Sequence, residues 1–290
     1  MERLEFTLQD RQRSCLIHRP PQFTSSTGTA PSRWPLVLAF HGGGIDAQAM
    51  ADFCGLTETA DEAGFLLAFP NGTGRVDYAR SWNAGTCCGH AFRYGVDDVA
   101  FVSQLLDRLE AGYPIDPDRI YATGMSNGAM LTYLLADKLS DRLAAVAPVA
   151  GQMGHSTCEP RRPVSVLHFH GTLDEFTPVE GGRGPRSPSQ TVFLSVQQGI
   201  DCWVQANGCS PTPTVQQLPD ASGLSVTWSV YGSGRDNSEV QLYLIHGGGH
   251  TWPGRKPTLD LLGASTETLN ANRLIWEFFE RHPRCMEKGP

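Results

Sequence analysis

Hydrophobic and polar positions change period several times along the chain, and each change marks an element. Leu4–Leu8 and Ser14–His18 read as two short opening strands, followed by a Pro/Ser/Thr-rich loop from Pro20 to Ser32. Pro35–Phe40 is a continuously apolar run that stops at His41-Gly-Gly-Gly44, the pattern of a buried strand ending at a functional loop. Ala47–Ala63 predicts a helix, and Phe65–Phe69 a second buried strand ended by Pro70-Asn-Gly. Val99, Val102, Leu105, Leu106 and Leu109 fall on one helical face, with Asp97 and Asp98 placed for its N-terminal turn. Arg119–Thr123 predicts a strand, and Met130, Leu131, Leu134, Leu135 and Leu139 stripe the helix after it. Ala144–Val149 and Val164–His170 are further buried strands, and Thr191–Asn207 predicts a helix. Leu224–Tyr231 and Val240–His246 are the last strands, and Leu269–Arg281 is a closing helix.

Strands alternating with helices imply an α/β chain, with a mainly parallel sheet covered by helices on both faces. No shift of composition divides it, so residues 1–290 read as a single domain without an appended binding module. The irregular stretch Asn71–Gly95 is too long for an idle connection. A second loop, Gly181–Ser189, is rich in Gly, Pro and Ser.

Composition narrows the classes. With 40% hydrophobic and 18% charged residues the chain is not disordered, and no apolar run approaches a membrane span. A net charge of −7, with Arg161–Arg162 as the one basic cluster, argues against a nucleic-acid partner. The 8 Cys permit disulfides without fixing any, and no His/Cys set has zinc-ligand spacing, so no metal is expected. Met1-Glu-Arg-Leu-Glu-Phe6 lacks the charged and apolar regions of a secretory signal.

Gly124-Met-Ser126-Asn-Gly128 fits G-x-S-x-G, a turn that lifts a nucleophilic serine above a sheet edge. A chain of this composition yields about 0.2 such matches by chance. Its place between a strand and a helix gives it weight. A serine hydroxyl needs a base within reach and a carboxylate to orient that base, in the order Ser, Asp, His. Asp174, four residues past the strand ending at His170, is the candidate acid, with Asp201 and Asp236 as weaker competitors. His250, in His246-Gly-Gly-Gly-His250-Thr-Trp-Pro, is the candidate base. His246 ends a strand and reads as structural, and His41, His168 and His170 read as hydrogen-bonded residues at strand ends. An acyl-transfer oxyanion requires fixed donors. The Asn127 N–H and a glycine N–H after the third strand fit, with Gly43 first and Gly44 second. A phosphate-binding role for these glycines fails for want of a following G-K-[ST]. Of 31 glycines, those at 42–44, 124, 128, 171 and 247–249 fall in these loops, which are expected at one edge of the sheet.

Taken in order, His41-Gly-Gly-Gly44, Ser81-Trp-Asn83, Cys87-Cys-Gly89, Asp97-Asp98, Gly124–Gly128, His170-Gly-Thr-Leu-Asp174 and Gly247–Gly254 resemble the esterase family of polyhydroxybutyrate depolymerases and bacterial feruloyl esterases. The resemblance covers Leu36 to Gly254. It implies an α/β-hydrolase fold and serine esterase chemistry without metal or organic cofactor, with Ser126, Asp174 and His250 in the three catalytic roles. It implies an extracellular or periplasmic location, with the cytoplasm as the alternative. Family members often pair a cysteine in the Asn207-Gly-Cys209 segment with one before the last strand. Here that place reads Tyr231-Gly-Ser-Gly-Arg235, leaving Cys202–Cys209 pairing or free thiols. Trp82 and Trp252, with Tyr78 nearby, could form an aromatic wall for a feruloyl ring, line a cleft for hydroxyalkanoate units, or simply pack the loops. Competing readings are a serine peptidase of the same fold and a non-catalytic binding protein on its scaffold.

Overall fold

A computed structural model describes residues 1–24, 32–219 and 223–284. Most of the Pro20–Ser32 loop and Cys285 lie outside the described residues. Twelve strands are found among the described residues: β1 (Glu2–Leu8), β2 (Arg11–His18), β3 (Trp34–Phe40), β4 (Leu66–Pro70), β5 (Thr73–Val76), β6 (Ala79–Ser81), β7 (Ile115–Met125), β8 (Ala145–Val149), β9 (Ser165–Gly171), β10 (Thr214–Pro219), β11 (Ser225–Tyr231) and β12 (Val240–His246). The helices are α1 (Ala47–Cys54), α2 (Leu56–Ala63), α3 (Gly89–Arg93), α4 (Asp98–Gly112), α5 (Asn127–Lys138), α6 (Val196–Asn207) and α7 (Ala271–Arg281).

Ten of the strands form one sheet in the order β1-β2-β4-β3-β7-β8-β9-β12-β11-β10. Its centre, β4 through β12, is parallel. Both edges are antiparallel, β1 and β2 on one side and β11 and β10 on the other. Side chains alternate across the central strands and so fill two cores. Leu36, Leu38 and Phe40 of β3 join Phe101, Leu105, Leu131 and Trp203 from α4, α5 and α6 on one face. Val37 and Ala39 join Met50, Ala60, Ile275 and Phe279 from α1, α2 and α7 on the other. This is the α/β-hydrolase architecture.

Several elements differ from the sequence pattern, among them the helix expected from Thr191, which begins only at Val196 after the Ser195 cap. The single helix expected over Ala47–Ala63 is two, because Gly55 adopts a φ of 65° and ends α1 while starting α2. The Asn71–Gly95 stretch holds the β5–β6 hairpin and α3. β10 is an exposed edge strand of mixed polar and apolar residues (Thr-Val-Gln-Gln-Leu-Pro), so its alternation has no buried face to record. No helix among the described residues is long and apolar enough to cross a membrane.

Candidate active site

Ser126 stands where β7 ends and α5 begins. Its φ of 57° and ψ of −120° are strained for a side chain other than glycine, the mark of a sharp strand-to-helix turn. The turn closes only with glycine on both sides. A Cβ on Gly124 would stand 2.7 Å from the Gly128 backbone and 2.9 Å from the Phe40 carbonyl, and one on Gly128 would collide with the Phe40 and His41 backbone. The two glycines therefore serve the close approach of β3 to the turn as much as the serine itself.

Asp174 lies in the turn after β9. Its Oδ1 accepts the N–H groups of Phe176 and Thr177 at 2.8 and 2.9 Å, and its Oδ2 lies 2.7 Å from His250 Nδ1. The Thr177 hydroxyl is 2.9 Å from the same Oδ2 and 3.1 Å from the Ala150 carbonyl, so its one proton serves one acceptor at a time. Burial alone would push the Asp174 carboxyl up. The charge and hydrogen bond of His250, with His170 nearby, outweigh it and hold the group below the usual carboxylate range. An ionised carboxylate only accepts, so His250 carries its proton on Nδ1 and its Nε2 lone pair is the basic position.

The loop after β12 carries His250 by its backbone: His250 N–H donates to Leu262 O at 2.7 Å and Gly249 N–H to Ala264 O at 2.8 Å. Phe176 packs against the imidazole with 4.9 Å between centroids. The acid turn and this loop meet backbone to backbone, since a Cβ on Gly171 would stand 2.5 Å from Gly249 O.

Ser126, Asn127, His250, Gly43 and Gly44 share one cleft of about 310 Å³. Ser126 and His250 line it without a hydrogen bond between them. The Gly44 N–H donates to Arg80 O at 2.7 Å, while that of Gly43 has no partner among the described residues. The Asn127 N–H lies in the first turn of α5, where amides lack an intrahelical acceptor. A free N–H after β3 and another at a helix start suit an anion between them.

Residues 22–166 match the family described as esterase PHB depolymerase. The chain is 30% identical over 265 residues to the putative esterase NocK of Nocardia uniformis subsp. tsuyamanensis, covering 86% of this chain and 73% of that one. The chain belongs to this esterase family. It is a carboxylic ester hydrolase by that membership. Feruloyl esterase B of Piromyces equi is 27% identical over 82% of this chain and 42% of its own length. Poly(3-hydroxyalkanoate) depolymerase C of Paucimonas lemoignei is 26% identical over 77% and 56%. The chain thus spans about half the length of these last two relatives. The acetyl xylan esterase from Aspergillus awamori superposes with a TM-score of 0.60 at 14% identity, over 87% of this chain and 94% of that one, a likeness of fold.

In this esterase the aromatic wall expected of Trp82 and Trp252 is not at the cleft, because both rings are fully buried. Trp82 packs edge-on against Phe40, and its indole N–H donates to His41 O at 2.9 Å. Trp252 donates to Asn272 Oδ1 at 2.7 Å, and the Asn272 amide donates to Cys54 O at 2.8 Å. A large apolar ring beside a site loop is drawn into the core, while its N–H anchors backbone there. Tyr78 is 74% exposed and lies outside the cleft. The walls are instead Met130, Phe176, Phe193, Leu262 and Cys88, with Ser187–Ser189 of the Gly/Pro/Ser-rich loop. Phe193, expected inside the helix from Thr191, lies ahead of α6 instead, and Leu262 ends a short 3-10 turn, so no sequence period marks either as a cleft wall. Phe176 is flagged only by standing two positions past Asp174.

His41, His168 and His170 are buried and hydrogen-bonded, as their strand-end positions suggest. His246 is exposed and lies 2.7 Å from the Thr227 hydroxyl. Cys87 and Cys88 are joined as a disulfide. Cys202 and Cys209 are not paired and are free, as are Cys15, Cys54 and Cys158. Burial pushes the Cys54 thiol up to about 12.

Proposed function

We propose that this esterase cleaves its substrate through an acyl-enzyme on Ser126, with His250 as general base and acid and Asp174 as the carboxylate that orients it. The 2.7 Å contact between Asp174 Oδ2 and His250 Nδ1, at a cleft that Ser126 also lines, carries this reading. His250 Nε2 takes the Ser126 proton as Oγ attacks the ester carbonyl, and the Gly43 and Asn127 N–H groups hold the oxyanion. The imidazolium then protonates the leaving alcohol. Water repeats the sequence on the acyl-enzyme and releases the acid. No organic cofactor or metal enters these steps.

The relatives named feruloyl esterase and poly(3-hydroxyalkanoate) depolymerase support a hydroxycinnamoyl ester or a hydroxyalkanoate oligomer as substrate. Apolar side chains of Met130, Phe176, Phe193 and Leu262 on the cleft wall favour an acyl group with a hydrocarbon or aromatic body. We place this activity in one catalytic domain acting outside the cytoplasm, in keeping with a disulfide at the cleft.

Ser126→Ala is expected to abolish turnover of a p-nitrophenyl short-chain ester, and retained activity overturns the assignment. Turnover of feruloyl, short-acyl and hydroxybutyrate-oligomer esters, compared with a peptide amide, then separates the substrate classes and the peptidase alternative.

A further inference from the structure

Behind Asp174, away from the cleft, a chain of hydrogen bonds runs through the core on one face of the sheet. Tyr133 Oη lies 3.0 Å from His168 Nδ1, His168 Nε2 lies 3.0 Å from His170 Nδ1, and His170 Nε2 lies 2.7 Å from the Thr177 carbonyl. The three side chains are at most 1% exposed. The far end fixes every proton. A carbonyl only accepts, so His170 must carry its proton on Nε2. Its Nδ1 is then the acceptor, which requires a proton on His168 Nε2. His168 Nδ1 accepts in turn, and Tyr133 O–H donates. Burial keeps all three neutral: it drives both imidazoles below their ordinary value and the phenol well above its own.

This chain ends on the acid turn. Thr177, whose carbonyl receives the His170 N–H, also gives its own N–H to Asp174 Oδ1. His170 Nε2 itself stands 3.6 Å from Asp174 Oδ2, the oxygen that meets His250. The one Nε2–H of His170 is committed to the Thr177 carbonyl, so His170 acts on Asp174 by holding the Thr177 backbone whose N–H binds Oδ1, and by standing beside Oδ2 without a bond to it.

We propose that His170 is a positioning residue for the Asp174–His250 pair, held in the required tautomer by His168 and Tyr133. The inference rests on the reading of Asp174 and His250 given above. The titratable groups that face His170 are Asp174 and His250 from the two loops and His168 on its own strand, with Tyr133 of α5 beyond. A His170 that gained a second proton would set Nδ1–H against His168 Nε2–H and break the chain. Burial counters that, while the Asp174 charge and the Thr177 carbonyl act the other way.

The test compares His170→Leu, His170→Gln and Tyr133→Phe, with active sites counted by a fluorophosphonate that labels Ser126. Glutamine can still donate to the Thr177 carbonyl, and leucine cannot. Per labelled site, His170→Leu is expected to lose about 10- to 100-fold in kcat with KM little moved, as for a small misplacement of reacting groups. His170→Gln is expected to recover most of that loss, and Tyr133→Phe to lose several-fold because the buried His168 Nδ1 loses its donor and the chain its anchor on α5. Wild-type kcat in His170→Leu, or equal losses in the leucine and glutamine variants, overturns the proposal by making His170 mere packing. If the leucine variant does not fold, wild-type kcat in folded Tyr133→Phe overturns the role of the chain. Activity surviving in Ser126→Ala would instead sink the underlying reading and is recognised separately.

Discussion

The side-chain amide of Asn127 pairs with both backbone groups of Trp82: its Oδ1 accepts the Trp82 N–H at 2.7 Å, and its Nδ2 donates to the Trp82 carbonyl at 3.0 Å. The Trp82 indole in turn holds the His41 carbonyl, two residues before Gly43. The residue after Ser126 thereby ties the long Asn71–Gly95 stretch to the turn, and that stretch braces the glycine loop. Both proposed oxyanion amides belong to one hydrogen-bonded unit.

Asn127→Ala leaves the buried N–H of Trp82 unpaired, while the Trp82 carbonyl keeps the Cys88 N–H, at a cost of about 1–3 kcal/mol. The expected result is a thermal unfolding midpoint lower by several degrees, with kcat/KM down roughly 10- to 100-fold. An unchanged melting curve and rate would contradict this role for the side chain.

Asp174→Asn keeps the shape of the acid turn but lets His250 adopt the other tautomer. A loss in kcat of about 10³- to 10⁴-fold is expected, with circular dichroism unchanged. A loss under tenfold would show that His250 does not depend on this carboxylate.

Gly128→Ala sets a methyl group against the Phe40 and His41 backbone, which has no flexible end to give way. Destabilisation of at least about 1–3 kcal/mol is expected, read as reduced soluble yield and a lower urea midpoint. Wild-type stability would mean that β3 can move off the turn.

Leu262→Ala removes an apolar wall from the cleft. Roughly three- to tenfold lower kcat/KM is expected for an ester with an aromatic acyl group, with an acetyl ester little changed. Equal losses on both substrates would place Leu262 in support of the His250 loop rather than in substrate contact.

Stability also depends on pH through the buried histidines. Burial pushes His41 from 6.5 down to about 4, and lowers His168 and His170 as well. Below about 6.5 the unfolded chain takes up protons that the folded one refuses, so the unfolded state binds more of them. The contribution of His41 is complete above that value and is lost as pH falls from 6.5 toward about 4, by up to about 1.4 kcal/mol per pH unit. Urea midpoints at pH 7.5 and pH 5 check this, and equal midpoints would refute it.

The sequence by itself determined the layered α/β order, because buried parallel strands are continuously apolar and the covering helices are striped. It also singled out Ser126, Asp174, His250 and the Gly43–Gly44 loop as candidates, because a tight strand-to-helix turn admits only glycine at Gly124 and Gly128 and the acid and base loops pack backbone to backbone at Gly171 and Gly249. Even the placement of glycine-rich loops at one edge was legible, and Gly171 against Gly249 shows two of them touching. What lines the cleft was not. Trp82 and Trp252 looked available in sequence, but burying a large ring next to the core wins more than exposing it, and their N–H groups found backbone and Asn272 partners inside. Phe193 and Leu262 reach the cleft from irregular segments whose direction is set by contacts far along the chain. Only the tertiary structure could bring Tyr133, on a helix, against His168 and His170, because that alignment depends on how α5 packs across the sheet and not on any local period.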